Sequence, residues 1–388
     1  MPNESTRPHL VPVYARSGGV LDGPAVGVDV GTLALGRDSG AGVLAFDGDV
    51  LVSRRHAKII VTTDPWRVEI RDLESKNGTF VNGRNVNQQF LVDGDLIRLG
   101  ESFFVYRMLE KAESGASDIP GRAPQMRRMR AAIDGLTPHH RRALLLGRVG
   151  AVWTAPAEAI HRRINPEGHL TRLRAGNLRC DALETALQDT NTILLENVED
   201  LDPAALTVLR DVRGMAPVIA ASAQDLVQLS QNGRFDASIL ESFDDATVRI
   251  PSVRERREDV LGLFVGCLGI GTPPLSIDLI ETLLLYSWDG DMEEMKTVAS
   301  DLRVRGSGLD ALVTELVSPW LRGGSTPAPT TEDSMTQVEI RRPVPAKPDL
   351  EGLLALHDDD IDVVAEALGR SRMQVVSWLQ QYGLDKPE

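Results

Sequence analysis

The stretch from Ser53 to Gly83 constrains the fold more than any other part of the chain. It runs Ser53-Arg54-Arg55-His56, then short alternating apolar segments, then Ser75-Lys76-Asn77-Gly78-Thr79 and Val81-Asn82-Gly83. Each Asn-Gly pair suits a tight turn, because both residues tolerate positive φ, and such turns present backbone N–H groups outward. Lys58–Val61, Trp66–Ile70, Asp95–Leu99 and Phe103–Tyr106 are short β-rich runs separated by Asp, Gly and Asn turns. That spacing predicts an all-β sandwich, which carries its binding groups on the loops at one end. Those loops hold Gly36-Arg37, Ser53–His56 and Lys76-Asn77, a set of cations, a hydroxyl and turn amides suited to wrapping an oxyanion.

Taken in order, Gly36-Arg37, Ser53-Arg54-Arg55-His56, Asn77-Gly78-Thr79, Asn82-Gly83 and Asp93-Gly94-Asp95 resemble the forkhead-associated (FHA) domain family. The resemblance implies a phosphothreonine reader. It puts the phosphate-contacting arginine on Arg37, the phosphate-binding serine on Ser53 and its neighbouring arginine on Arg54, with Lys76 and Asn77 touching phosphate and peptide backbone. It makes Gly36, His56, Gly78, Thr79 and Asn82 the residues that brace the loops. Read alone, His56 is a hydrogen-bonded core residue rather than a phosphate ligand. The chemistry agrees, since a phosphothreonine carries nearly two negative charges and three strong acceptors. The segment between Arg37 and Ser53 is long for the family.

At 388 residues the chain holds two or three domains. A formal charge of -14 argues against bulk attraction to nucleic acid or anionic membrane, so any nucleic-acid role is local. Cys180 and Cys267 lie too far apart in sequence for a metal motif or a disulfide framework and read as packed thiols in a reducing compartment. No apolar run approaches the length needed to span a bilayer, and a cytoplasmic protein with no metal and no cofactor is expected.

Beyond residue 124 helical periodicity replaces alternation. Met126, Met129 and Ile133 share one face, and Ala143–Leu146 is an apolar strand running into a glycine loop. Thr192–Glu196 and Ala216–Ala221 are further buried-strand candidates, which implies a parallel α/β sheet. Leu144–Gly150, Ile193–Val198, Val218–Ser222, Gly233-Arg234-Phe235, Val253–Val260 and Tyr286–Gly290 resemble the AAA+ domain of sigma-54-dependent transcriptional activators, with a helical lid.

The departures from that family concern chemistry. Its phosphate loop falls on Gly147-Arg148-Val149-Gly150-Ala151-Val152-Trp153, so Trp153 stands where a lysine would neutralise the β- and γ-phosphates. The metal carboxylate and catalytic glutamate fall on Glu196 and Asn197. Two arginines supplied across subunits fall on Asp236 and Ser242, and the sensor arginine on Glu293. A trans arginine alone is worth about 10³–10⁵ in rate, so a pseudo-ATPase is expected. The family's Gly-Ala-Phe-Thr-Gly-Ala loop does not occur in the sequence, and the segment from Ile164 to Thr192 is short where it belongs.

The last part resembles the Fis-type helix-turn-helix of the same activators, with helices over Leu350–His357, Ile361–Leu368 and Ser371–Tyr382. Arg370, Arg372 and Gln374 are its candidate DNA contacts. Nine carboxylates against Arg370, Arg372 and Lys386 leave two readings open from Asp349 onward: a DNA binder, or a dimerising or degenerate helical module. Thr330-Thr331-Glu332-Asp333 is an acidic-flanked threonine pair in a Pro- and Thr-rich tether.

The expected organisation is multidomain. An N-terminal extension occupies 1–24, an all-β FHA sandwich 25–110, a linker 111–124, a degenerate α/β AAA+-like domain with helical lid 125–322, a flexible linker 323–348 and a small all-α helix-turn-helix segment 349–388. The expected partner is a threonine-phosphorylated protein of a Ser/Thr kinase pathway. Sigma-54-type activators or a second copy are further candidates, DNA stays open, and no membrane is involved.

Overall fold

The computed structural model describes residues 6–317 and 321, apart from 17, 22, 39–42, 47, 64–65, 111–118 and 212–215. The helix-turn-helix expectation, with Arg370, Arg372 and Gln374, and the tether at 323–348 lie outside the described residues.

The first part is a sandwich. Its strands are β1 (Thr6–Ala15), β2 (Gly19–Val20), β3 (Val26–Gly27), β4 (Gly31–Gly36), β5 (Val43–Ala45), β6 (Ala57–Thr63), β7 (Trp66–Asp72), β8 (Thr79–Val81), β9 (Arg84–Val86), β10 (Gln88–Phe90), β11 (Leu96–Leu99) and β12 (Ser102–Glu110). One sheet runs β2-β1-β12-β11-β8-β9, with β3 also on β1, and the other runs β10-β7-β6-β4-β5. Pairing is antiparallel except between β4 and β5. Their facing sides share a core that includes Leu35, Ile59, Ile70, Ile97, Leu99 and Phe104.

The sandwich begins earlier than the expected boundary at residue 25, because β1 pairs with β12 from Thr6↔Glu110 onward. Pro8 and Pro12 remove backbone donors and make this segment read as non-strand, and its partner lies far away in sequence. A bulge between Pro12 and Tyr14 accommodates the second proline.

The second part is α/β. It comprises α1 (Pro124–Asp134), β13 (Arg142–Leu146), α2 (Thr154–Ile164), β14 (Leu170–Arg174), α3 (Cys180–Leu187), β15 (Thr192–Glu196), α4 (Pro203–Asp211), β16 (Val218–Ser222), α5 (Leu226–Gln231), α6 (Ala237–Glu241) and β17 (Thr247–Arg249). The parallel sheet has the order β14-β15-β16-β13-β17. Its central strands β15 and β16 are buried throughout, as expected for a parallel sheet covered on both faces.

A helical bundle follows, built from α7 (Val260–Leu268), α8 (Ile277–Leu285) and α9 (Asp291–Arg305). Its core is shared with the sandwich: Val13, Leu96, Phe103 and Val105 cluster with Val253, Leu261, Phe264, Leu283 and Trp288. The period of two explains the sharing. Along β12, Phe104 and Tyr106 face the sandwich interior while Phe103 and Val105 face the bundle. Within the expected linker, Ile119 and Ala123 are buried and pack with α1. No described helix is long and apolar enough to cross a membrane.

Candidate functional site

Three loops converge at one end of the sandwich. Beyond β4 and before β6 the chain keeps an antiparallel register, with His56 N–H donating to Leu35 O (2.9 Å), Arg37 N–H to Ser53 O (3.0 Å) and Asp38 N–H to Arg54 O (3.2 Å). A Cβ on Gly36 would lie inside 3.0 Å of the Arg54 carbonyl carbon and oxygen, so only glycine lets the two segments close.

His56 is fully buried and links the second loop to the third. Its Nδ1 accepts from Ser53 N–H (3.0 Å), which leaves the proton on Nε2 to donate to Gly78 O (3.0 Å). Lys76 N–H donates to Ser53 Oγ (3.1 Å), and Asn77 Nδ2 donates to Leu51 O (2.7 Å). With its oxygen already accepting, Ser53 has its own hydroxyl proton available for an external acceptor.

The third loop is tied down by Asp72. Its carboxylate accepts from Ser75 N (2.9 Å), Ser75 Oγ (2.6 Å) and Thr79 Oγ1 (2.6 Å). Burial pushes the Asp72 pKa up, but the bonds from Ser75 and Thr79 outweigh it, and the net value lies below the usual aspartate range. Gly78 has φ +79°, a region that favours glycine, and a side chain there would run into Asn85. Asp49, almost fully buried, anchors the second loop through Leu51 N (3.1 Å), Glu101 N (2.8 Å) and Ser102 Oγ (2.9 Å).

The structure therefore brings Arg37, Ser53, Arg54, Lys76, Asn77, Gly36, His56, Gly78 and Thr79 together at one end. Asn82 is elsewhere, which corrects its expected role as a brace for these loops. It sits in the turn at the far end of β8, where Nδ2 donates to Asp95 Oδ1 (2.7 Å) and Oδ1 accepts from Leu96 N (3.0 Å) and Arg257 (3.1 Å). Sequence reasoning missed Asp49, Asp72 and Asn85. Asp72 had a local signal, since an aspartate three residues before a serine can cap a tight loop.

The charged groups at this end share a feature. Arg37, Arg54, Arg55 and Lys76 are exposed, and among the described residues their side chains form no ion pair. The same holds for Arg7, Lys58, Arg67 and Arg84 elsewhere on the sandwich, whereas Arg16, Arg71, Arg98 and Arg107 are paired, so what sets this end apart is the gathering of four such cations around Ser53. Cations that have no carboxylate partner among the described residues, set around a hydroxyl donor, form a ready anion receptor.

The second candidate lies at the C-terminal ends of the parallel strands, where open α/β sheets bind ligands. Here the protein's own atoms meet. Trp153 is 9% exposed, joins the core cluster with Leu145 and Ile160, and its ring lies so close to Gly147 that a Cβ there would come within 2.9 Å of it. Gly150 has φ +87°, its carbonyl accepts from Glu293 N–H (3.3 Å), and the Gly290 carbonyl blocks the space a side chain would need.

The remaining nucleotide-site positions are also engaged locally. Glu196 is buried and held by Arg172 (2.6 Å) and Arg174 (3.8 Å) from the edge strand β14, so its charge is already balanced. Asn197 has φ +57°. Asp236 caps α6 and pairs with Arg210 (2.9 Å), Ser242 receives a bond from Arg142 (3.0 Å), and the Glu293 carboxylate pairs with Lys296 (2.7 Å). Among the described residues no group of three His, Cys, Asp or Glu side chains is placed to hold a metal ion.

A sandwich with this loop end, joined to a parallel α/β sheet and helical bundle, defines a class: an FHA domain linked to a region homologous to sigma-54-dependent activators. The FHA domain model matches residues 33–100. The C4-dicarboxylate transport transcriptional regulatory protein DctD of Pseudomonas aeruginosa is 26% identical over 316 residues, covering 68% of this chain and 64% of that protein. The DNA-binding transcriptional regulator NtrC of Escherichia coli K12 is 25% identical over 244 residues, 52% of each chain. The crystal structure of NtrX from Brucella abortus in complex with ATP aligns at 20% identity with a TM-score of 0.49, over 69% of this chain and 70% of that one. The chain thus spans under two thirds of DctD and about half of NtrC.

Proposed function

We propose that this protein is a signalling and transcription-regulatory protein that captures phosphothreonine segments of a partner from a Ser/Thr kinase pathway, and that its AAA+-like part is a pseudo-ATPase used for protein association. The observation that carries the first half is the loop end around Ser53. Its hydroxyl donor, the Arg37, Arg54 and Lys76 cations and the Asn77 amide match a dianionic phosphate with an adjoining peptide backbone. Each charge-assisted bond is worth about 1.5–3 kcal/mol, so losing one cation weakens binding about tenfold or more.

The second half is supported by Trp153 filling the space beside Gly147 and by the Arg172–Glu196 pair standing where a metal carboxylate would be needed. The residues present do not fit a Mg-nucleotide: no lysine reaches a phosphate there, and Glu196 is already neutralised.

A fluorescence-polarisation titration of the purified chain with a threonine peptide, phosphorylated and not, tests the reader. Binding is expected for the phosphopeptide alone and lost in Arg37→Ala; equal binding of both peptides overturns the reading. Phosphate release from ATP at or below the buffer blank is expected, with a competent activator as control, and steady turnover removes the pseudo-ATPase half. A second reading, DNA binding through the segment from Asp349, is favoured by the homology to NtrC, a DNA-binding regulator. Gel shifts with promoter fragments at stated salt distinguish it.

A further inference from the structure

We propose that the β-sandwich is a splint across the junction between the α/β sheet and the helical bundle, holding the bundle closed over the Gly147–Trp153 loop. The junction runs from Ile250 at the end of the sheet to Val260 at the start of α7, with 3-10 turns at Val253–Glu255 and Arg257–Asp259. The sandwich grips both sides of it.

On the bundle side, Arg107 of β12 and Glu258 are each 4% exposed and form a two-pronged pair, Nε to Oε1 at 2.9 Å and Nη2 to Oε2 at 2.7 Å. Arg107 also reaches Asp93 (2.9 Å) and the Glu255 carbonyl (3.2 Å). Burial alone would lower the Arg107 pKa, but Glu258 and Asp93 together hold it above the usual arginine value, so the cation stays charged inside. Arg257 points the other way, from junction to sandwich, donating to Asn82 Oδ1 (3.1 Å) and the Gly94 carbonyl (2.7 Å). Further along, Arg98 pairs with Glu281 of α8 (2.6 Å).

On the sheet side, the Arg122 guanidinium, just ahead of α1, donates to the carbonyls of Pro12 (2.9 Å), Leu21 (2.7 Å) and Gly23. Asp259 closes the circle, accepting from the backbone of Arg122 (2.6 Å) and Ala123 (3.4 Å). Phe103 and Val105 fill the apolar space between these polar ties.

An edge so extensively bonded leaves the bundle little freedom to lift from the loop it covers, where Glu293 N–H meets the Gly150 carbonyl. The loops around Ser53 lie at the other end of β8 from Asn82, so the splint keeps its ligand-binding end away from the junction. Sandwich, sheet and bundle then behave as one body.

Two measurements on the full chain test this. A protease site inserted in 111–118 and cleaved under native conditions should leave two fragments that co-elute on gel filtration at micromolar concentration; separate peaks overturn the proposal. Hydrogen exchange is then compared between the wild-type chain and Glu258→Gln, which keeps the volume and removes the charge. Exchange in 277–305 and 147–153 should rise about tenfold or more, with β6 and β7 unchanged. Exchange unchanged in those two segments, or a rise confined to residues touching Glu258, overturns it.

Discussion

Replacing Gly36 by alanine tests the site at its tightest point. The new Cβ would lie 2.9 Å from the Arg54 carbonyl carbon, closer still to its oxygen, and 3.2 Å from Arg55 Cα. All three are backbone atoms, so no side chain can swing aside, and the two segments must part by about an ångström to restore normal contact. That movement breaks the bonds Arg37 N–Ser53 O and Asp38 N–Arg54 O, each worth about 1 kcal/mol net. Overpacking strain adds about 1–3 kcal/mol, giving a destabilisation of about 3–5 kcal/mol. A fall in melting temperature on the order of 10 °C follows for domains of this size. Arg37 and Ser53 separate at the same time, so phosphopeptide affinity falls about tenfold or more. Gly262→Ala in α7 is the control, because a Cβ there meets nothing within 4 Å and alanine favours a helix. Calorimetry and polarisation titrations of both variants decide the matter. A Gly36→Ala protein that melts within 2 °C of wild type, a margin of about 1 kcal/mol or less, and binds equally well refutes the reasoning.

Removal of the His56 ring strands Ser53 N–H and Gly78 O together, so His56→Ala should cost about 3 kcal/mol in urea unfolding and weaken phosphopeptide binding; full retention of both contradicts the loop-bracing role. Asp72 governs acid behaviour. Its folded pKa lies below the ordinary 3.8, so its contribution is present above that value and is lost as pH falls through it toward the lower folded value. Melting temperatures of wild type and Asp72→Asn should therefore converge as pH drops through that window, and a constant gap down to the lowest measurable pH contradicts the assignment.

Much of this site was legible because it is made of local pieces. Arg37, Ser53, Lys76 and Asn77 each sit in a turn whose chemistry can be read within a few residues, and the register of β4 against β6 brings those turns to one end. Asp49 was not legible, since an aspartate that caps Glu101 N and Ser102 Oγ looks like any loop carboxylate until the strands are assembled. β1 was hidden by its prolines. Asn82 was grouped with the loop braces by the family resemblance, whereas the extended strand β8 carries it to the opposite end from Gly78.

One signal was present and unused. Phe103-Phe104-Val105-Tyr106 is apolar on consecutive positions, and a sandwich strand with one wet face should alternate. The run means both faces of β12 are covered, and the second cover is the helical bundle.

The sequence by itself determined the kinds of parts: a sandwich from period-two runs and Asn-Gly turns, an α/β sheet from buried strands, and loops whose cations and hydroxyl suit a phosphate. These follow from interactions among residues close together in the chain. Only the tertiary structure decided how the parts are joined. Arg107 and Glu258 are 151 residues apart, and Arg98 and Glu281 are 183 apart. Nothing in either neighbourhood shows that a buried charge has a partner, because that complementarity exists only once both surfaces have folded.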